Sequence, residues 1–250
     1  PYADVIPFGG GSGKVEPIYS VSLAAGMKKL GRNYPVTVET GEKPAAKTLS
    51  SAAAVVVAVG FDKTCEKEGS DRTFSLPQGQ DEMIEYACAN NKNVIVVIYS
   101  GGAVDMSRWQ DKVSAILMGW YPGQEGGVAI ANILAGKVNP SGKLPMTLAK
   151  KLGDNPTYAN YYPLEGRTKR GFSHKVAFYG EGIFTGYRGY ERKGIEPNYP
   201  FGYGLSYTSF EYSAGNCIKS GDGYDVVFTV TNTGKYDGAE ISQVYVGEKA

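Results

Sequence analysis

The sequence predicts an α/β fold with a mostly parallel sheet, followed by the beginning of an all-β sandwich. Three apolar runs support the first part, and each is short enough for one strand buried on both faces: Ala52–Gly60, Asn93–Ser100 and Val113–Met118. One helical pattern separates the first two runs and another follows the third, and such alternation is typical of a doubly wound sheet. Two later segments alternate apolar and polar residues at period two, which indicates half-buried antiparallel strands.

The predicted elements follow the chain in a simple order. A glycine-rich turn at Gly9–Gly13 comes first, and because no strand pattern precedes it, we expect the first strand of the sheet to be missing. The other predicted elements are a helix at Ser22–Leu30, a short strand at Tyr34–Thr40, the strand Ala52–Gly60, a helix at Gln78–Asn90, the strands Asn93–Ser100 and Val113–Met118, a helix at Gly126–Leu134, and the strands Tyr224–Asn232 and Ala239–Val246.

Composition divides the chain into three parts. Residues 1–150 form the α/β part, and residues 151–198 are rich in Tyr, Gly and charge without a clean period, which indicates a connection that wraps around it. Residues 199–250 carry the period-two strands. Two or three strands are too few for a sandwich, so we expect this last domain to be partial.

Charge, cysteine and histidine usage exclude several classes of function. The 26 basic and 25 acidic residues leave a net charge of +1, which gives no electrostatic reason to expect nucleic acid or an anionic membrane as a partner. No apolar run approaches the roughly 20 residues that a membrane-spanning helix needs. Three widely spaced cysteines and a single histidine, His174, predict neither a disulfide framework nor a Cys/His zinc site. Nothing in the sequence suggests a metal or a cofactor.

The strongest candidate for a functional site is the polar loop that follows the run Ala52–Gly60. It contains Glu66, Glu68, Asp71 and Arg72 within a few residues, and Pro77 closes it. Ligands meet open α/β sheets at the carboxyl ends of the strands, which is where this loop begins. The position of the loop in the sequence allows two interpretations: it is a catalytic loop, or it is a solvated turn with one structural ion pair.

Seven segments of the chain, taken in order, are distinctive enough to suggest a family. The chain resembles the carboxyl-terminal region of glycoside hydrolases of family 3, which include β-glucosidases and β-xylosidases. The segments are GGGS (Gly9–Ser12), VVVAVGFDKTCEKEGSDRTFSLPQGQ, NVIVVIYSGGAVDM, AILMGWYPGQEGG, ILAGKVNPSGKLPMT, YGEGIFTGYRGYE and PFGYGLSYTSFEYS.

This resemblance implies both a fold and an activity. The fold is an open α/β-sandwich domain followed by the start of a fibronectin type III-like, immunoglobulin-like domain. The activity is retaining hydrolysis of β-linked glucosides, xylosides or related sugars at non-reducing ends, with a glycoside or oligosaccharide as substrate. In the family a (β/α)₈ barrel supplies the nucleophilic Asp. The sequence shows no eightfold βα pattern, so we expect the barrel and its Asp elsewhere in the full protein.

The resemblance also implies roles for the residues of the polar loop. The family often shows a Glu-Gly-x-Asp-Arg pattern whose Glu is the general acid/base, and here that pattern begins at Glu68. Glu66 stays open as the alternative acid/base, because the family's loop varies in length. Asp71 and Arg72 are expected to fix the loop by an ion pair and backbone hydrogen bonds, or else to bind substrate.

Two other functions remain open at this point. A 250-residue chain without a nucleophile could be a non-catalytic carbohydrate-binding or structural module. Alternatively, it could be a stand-alone hydrolase that pairs Glu66 or Glu68 with Glu125, although nothing in the sequence brings such a pair together.

Overall fold

The computed structural model describes residues 10–40, 43–62, 65–161 and 178–247. In these ranges the helices are α1 (Leu23–Lys29), α2 (Ala46–Ser51), α3 (Gln80–Asn90), α4 (Gly126–Leu134), α5 (Tyr158–Tyr161) and α6 (Tyr187–Lys193). The strands are β1 (Val55–Gly60), β2 (Val94–Tyr99), β3 (Ala115–Met118), β4 (Phe210–Tyr212), β5 (Asn216–Ser220), β6 (Gly223–Val227) and β7 (Val230–Asn232). Short 3₁₀ turns occur at Gln110–Lys112 and Leu152–Asp154.

The first three strands form a parallel sheet in the order β1-β2-β3. In its register Val55 lies beside Val94, and Ile95 lies beside Ala115, so all three strands end at the same edge. The sheet alternates its side chains between two cores. One face packs on α3 and the buried Trp109, and the other packs on α1 and α4. Because helices cover both faces of the sheet, the strand sequences are continuous apolar runs.

The helices α1 and α4 approach each other closely on the second face of the sheet. A side chain at Gly26 of α1 would collide with the backbone carbonyl of Gly127 in α4, and one at Gly127 would collide with the carbonyl of Ser22. These two glycines let the helix backbones lie in direct contact, which brings the segment before α1 next to the loop after β3.

A buried glutamine fixes the carboxyl end of β1. Gln80, the first residue of α3, is 3% exposed, and its side-chain amide bonds both polar groups of one strand residue. The Gly60 N–H donates to its Oε1, and its Nε2 donates to the Gly60 carbonyl, each at 2.8 Å. The amide thus takes the place that a peptide of a neighbouring strand would take. These two hydrogen bonds fix the backbone at Gly60, where the polar loop begins.

The later strands form a smaller antiparallel β part, with β4 paired to β7 and β5 paired to β6. It is joined to the α/β part by polar contacts. The Asn139 amide oxygen accepts from the Ser206 hydroxyl and the Tyr207 N–H, while the Lys143 ammonium lies 3.1 Å from the Glu240 carboxylate. The predicted fold class, an α/β part with a parallel sheet followed by a small β part, is confirmed.

Most predicted elements are found with shifted ends. The helix predicted at Gly126–Leu134 has those bounds, and the helix predicted at Ser22–Leu30 is α1 with Ser22 as its N-cap, where the serine hydroxyl accepts from the Ala25 N–H. The run Ala52–Gly60 begins its strand only at Val55, because α2 occupies residues 46–51 just before it.

Two predicted strands are absent from residues that the structure describes. Tyr34–Thr40 is irregular, since its alternating pattern finds no neighbouring strand and Pro35 cannot donate to a ladder. Ala239–Val246 is also unpaired with any described strand. Tyr224–Asn232 divides into β6 and β7, and β5 was not predicted. Within residues 151–198, α5 and α6 are helical, whereas residues 162–177, including His174, lie outside the described residues.

None of the helices in the described ranges could cross a bilayer. The longest of them, α3, has 11 residues, about half of what a membrane span requires.

Candidate active site

Three loops leave the carboxyl ends of β1, β2 and β3 at one edge of the sheet and meet around Glu66. The β1 loop turns back at once, because the backbone N–H groups of Cys65 and Glu66 both donate to the Asp62 carbonyl, at 3.0 and 2.9 Å. This turn directs the Glu66 side chain towards the neighbouring loops.

The carboxylate of Glu66 has partners in its own loop and in both neighbouring loops. Its Oε1 lies 3.1 Å from Nε of Arg72 and accepts the Gly101 N–H of the β2 loop at 3.3 Å. The Tyr121 side chain of the β3 loop packs on Gly101 and interacts with the same carboxylate. The side chains of Glu66 and Arg72 are only 20% and 17% exposed, so this is a largely buried ion pair.

Arg72 extends the same set of contacts. Its Nη2 donates to the Ala103 carbonyl of the β2 loop at 2.9 Å, and its Nη1 donates to the Thr73 carbonyl at 3.0 Å. The guanidinium also lies over the Phe61 ring, 4.4 Å from the ring centre. A planar cation with a fixed fork of donors can make all these contacts at once.

The β3 loop reaches Glu66 through an uncommon backbone conformation. Trp120 has φ of 52°, the only positive value at a non-glycine among the described residues. Such conformations persist where surrounding structure enforces them, and they cluster at functional sites. The next residue is Tyr121. Burial raises the pKa of the Tyr121 phenol, and its interaction with Glu66 raises it further, so the phenol stays protonated beside the carboxylate.

Glu68 lies in a different environment from Glu66. Its side chain is exposed, and its Oε2 accepts a hydrogen bond of 2.6 Å from the Ser12 hydroxyl. Gly11, at φ of 78°, lies directly against this side chain, since an added side chain there would come within 2.8 Å of its Cγ. Gly69 follows in the left-handed region that glycine favours, at φ of 77°. The carboxyl group of Glu68 therefore has a defined position and remains accessible.

Asp71 and Arg72 are adjacent in sequence but have separate partners. The exposed Asp71 accepts a hydrogen bond of 2.9 Å from the Tyr161 hydroxyl, whereas Arg72 pairs with Glu66. Loop positioning by Arg72 stays a prediction. Substrate binding by Asp71 or Arg72 stays a prediction.

The sequence did not indicate Gly101 as part of this site, and the contacts of Ser12 with Glu68 and of Tyr121 with Glu66 could not be derived from it. The glycine-rich turn was the one available signal for Ser12, and its first residue, Gly9, lies outside the described residues.

Glu125 interacts with the Tyr19 side chain of the segment before α1, and this interaction is the main cause that raises the pKa of the Tyr19 phenol. Among the described residues, no group of His, Cys, Asp and Glu side chains could hold a metal ion.

Comparison with known proteins identifies the family. The profile described as "Glycosyl hydrolase family 3 C-terminal domain" matches residues 1–207. The chain belongs to glycosyl hydrolase family 3. It is 43% identical over 240 residues to a probable beta-glucosidase I of Aspergillus flavus, covering 92% of this chain and 27% of that protein. It is 35% identical over 250 residues to an exo-alpha-(1->6)-L-arabinopyranosidase of Bifidobacterium longum, covering 95% and 32% respectively.

The family 3 fold is also found among solved structures. Beta-glucosidase 3B from Thermotoga neapolitana, in complex with glycerol, aligns with a TM-score of 0.79 at 32% identity, covering 93% of this chain and 37% of that one. This family 3 chain spans between a quarter and a third of the length of the curated relatives named above.

Proposed function

We propose that this chain is the part of a retaining β-glucosidase that supplies the general acid/base, and that Glu68 is that residue. The observation that supports this assignment is the contrast between the two glutamates. Glu66 is turned into the protein and held by an ion pair, whereas Glu68 is exposed at the carboxyl edge of the sheet and held by one hydroxyl. A proton donor has to reach the glycosidic oxygen of a substrate outside this domain.

Retaining hydrolysis gives this residue two tasks. Two carboxyl groups stand about 5–5.5 Å apart across the scissile bond, one as nucleophile and one as acid/base. In the first step the Glu68 carboxyl donates its proton to the leaving oxygen while the nucleophile bonds to the anomeric carbon. In the second step its carboxylate takes a proton from water as that water releases the sugar.

The nucleophile is proposed to be an Asp on a (β/α)₈ barrel of the full-length protein, packed against the carboxyl edge of this sheet. The Gln80 hydrogen bonds to Gly60 and the Arg72 ion pair with Glu66 support the loop that carries Glu68. Such support suits an arrangement in which the two carboxyl groups come from separate domains, because each must be held within a fraction of an ångström.

A β-linked glucoside is the proposed substrate. Relatives named as beta-glucosidases carry this inference. The arabinopyranosidase that is 35% identical to the chain indicates that related regions serve enzymes acting on different sugars. The residues that select the sugar are therefore proposed to lie mainly on the barrel.

The test uses Glu68→Ala in the full-length protein, with aryl β-glucosides whose leaving phenols differ in acidity. Loss of a general acid predicts a fall of roughly 10²–10⁴-fold in kcat/KM for poor leaving groups and a smaller fall for activated ones. Azide should restore turnover of the activated substrates, because it needs no general base. Glu39→Ala, which removes an exposed glutamate from another loop, is the matched control and should behave as wild type.

Unchanged hydrolysis by Glu68→Ala would overturn the assignment. If in addition Glu66→Ala showed the leaving-group dependence and the azide rescue, the proton donor would be Glu66. If neither variant affected turnover, a non-catalytic carbohydrate-binding or structural role for this region would be favoured.

A further inference from the structure

We propose that Glu66 and Arg72 act together as a positioning unit that fixes the proton-donating loop to the ends of β2 and β3. This inference rests on the proposed role of Glu68. It assigns to Glu66 a function different from proton transfer, and it makes the β2 and β3 loops part of the catalytic apparatus without requiring either to touch the sugar.

The direction of the Glu66 carboxylate is the first argument. The Glu66 carboxylate is directed inwards, against Arg72, the Gly101 N–H and the Tyr121 side chain. Its side chain is only 20% exposed. A carboxylate with these partners is already occupied when substrate arrives.

The close approach of backbone around Glu66 is the second argument. Gly10 lies against the Glu66 carbonyl so tightly that any side chain at position 10 would collide with it. Gly101 lies between the Glu66 carboxylate and the Tyr121 ring, where an added side chain would come within 3.1 Å of that ring. Position 66 is thus enclosed by three segments that are distant in sequence.

The geometry of the loop is the third argument. Glu66 lies two residues before Glu68 and Arg72 lies four residues after it, so their ion pair closes a short loop with Glu68 inside. Arg72 then attaches this closed loop to the Ala103 carbonyl and to the Phe61 ring. Opening the pair frees both ends of the segment that carries the proton donor. A displacement of about 1 Å in a catalytic group can cost roughly 10²-fold in rate.

The experiment measures five variants of the full-length protein on aryl β-glucosides with good and poor leaving groups: Glu66→Gln, Glu66→Ala, Arg72→Ala, the double variant Glu66→Ala/Arg72→Ala, and Glu68→Gln. Glu66→Gln keeps an oxygen that can accept from Arg72 and Gly101 but cannot donate a carboxyl proton. We expect it to stay within about tenfold of wild type on every substrate, since much of the hydrogen bonding survives. Glu66→Ala should lose about 10²-fold on poor leaving groups and much less on activated ones, because the displaced Glu68 protonates the leaving oxygen inefficiently.

The double variant Glu66→Ala/Arg72→Ala tests whether the two residues act as one unit. Residues in one network are non-additive, so the double variant should be no slower than Arg72→Ala alone. A loss equal to the product of the two single losses would overturn the inference. Near-ultraviolet circular dichroism on each variant confirms that the domain is folded. If Glu66→Ala does not fold, Arg72→Ala, which opens the same ion pair, provides the test by the same leaving-group dependence.

Glu68→Gln, measured in parallel, separates failure of this inference from failure of the proposed function. If Glu68→Gln loses activity and Glu66→Ala does not, only the positioning role is wrong. If Glu66→Gln is inactive and azide restores it while Glu68→Gln stays active, Glu66 is the proton donor and both proposals are wrong.

Discussion

Gln80→Ala is expected to destabilise the α/β part strongly, because it leaves two backbone groups of Gly60 without partners. The amide of Gln80 accepts the Gly60 N–H and donates to the Gly60 carbonyl, each at 2.8 Å, and the side chain is 3% exposed. Each buried group left unsatisfied costs about 1–3 kcal/mol. Two such groups, partly relieved by water entering the space, give an expected loss of about 3 kcal/mol in the free energy of unfolding.

Urea unfolding of the chain, followed by tryptophan fluorescence, measures this loss. Trp109 is fully buried beside α3, and the only other tryptophan is Trp120 in the β3 loop, so the signal reports on the α/β part. With a slope of about 2 kcal/mol per molar urea, the unfolding midpoint should fall by roughly 1.5 M. Gln78→Ala, two residues earlier and exposed, is the matched control and should shift the midpoint by less than about 0.3 M.

A midpoint for Gln80→Ala as close to wild type as that of Gln78→Ala would refute the reasoning. It would mean that the Gly60 groups find other partners, and that the carboxyl end of β1 is held by something other than this amide.

Three further predictions concern packing, pH and the junction between the two parts. Gly26→Ala should lower the free energy of unfolding in urea by about 2 kcal/mol, because it pushes α1 into the backbone of α4, whereas Gly142→Ala has free space and should change little. Burial raises the pKa of the Asp81 carboxyl above its ordinary value of 3.8, so the folded state binds this proton more tightly than the unfolded state does. The proton's contribution to the free energy of unfolding is therefore lost as the pH rises above about 3.8. The unfolding midpoint of Asp81→Asn relative to wild type should accordingly increase between pH 4 and pH 6; a constant difference would contradict this. Lys143→Ala removes the ion-pair partner of the largely buried Glu240, and we expect limited proteolysis beyond residue 205 to quicken by roughly tenfold; an unchanged rate would show that the ion pair does not hold the junction.

The parallel sheet could be predicted from sequence because burial on both faces leaves a continuous apolar run. The ends of its strands were less predictable. Ala52 belongs to the apolar run, but the chain is just leaving α2 at that point and becomes a strand only at Val55. Tyr34–Thr40 shows the converse, since alternation describes side chains whereas a strand also needs a neighbour.

The polar loop could be recognised as a candidate site, and the family pattern predicted Glu68 as its acid/base. The partners of its residues could not be derived in the same way. Asp71 and Arg72 are neighbours in sequence, yet the left-handed backbone at Gly69 and the turn at Asp62 bring Arg72 to Glu66 instead. Ser12 and Tyr121 reach the loop from distant parts of the chain, and only the packing of the sheet and helices brings them there.

The measurement that tests the central proposal most directly is the stereochemistry of the azide product formed by Glu68→Ala. The full-length variant is incubated with an activated aryl β-glucoside and azide, and the product is examined by proton NMR. With the acid/base removed and the nucleophile intact, azide should attack the glycosyl-enzyme intermediate, and the product should be the β-glucosyl azide with retained configuration. An α-glucosyl azide, or hydrolysis at the wild-type rate with no azide product, would contradict the assignment of Glu68 as the acid/base of a retaining glycosidase.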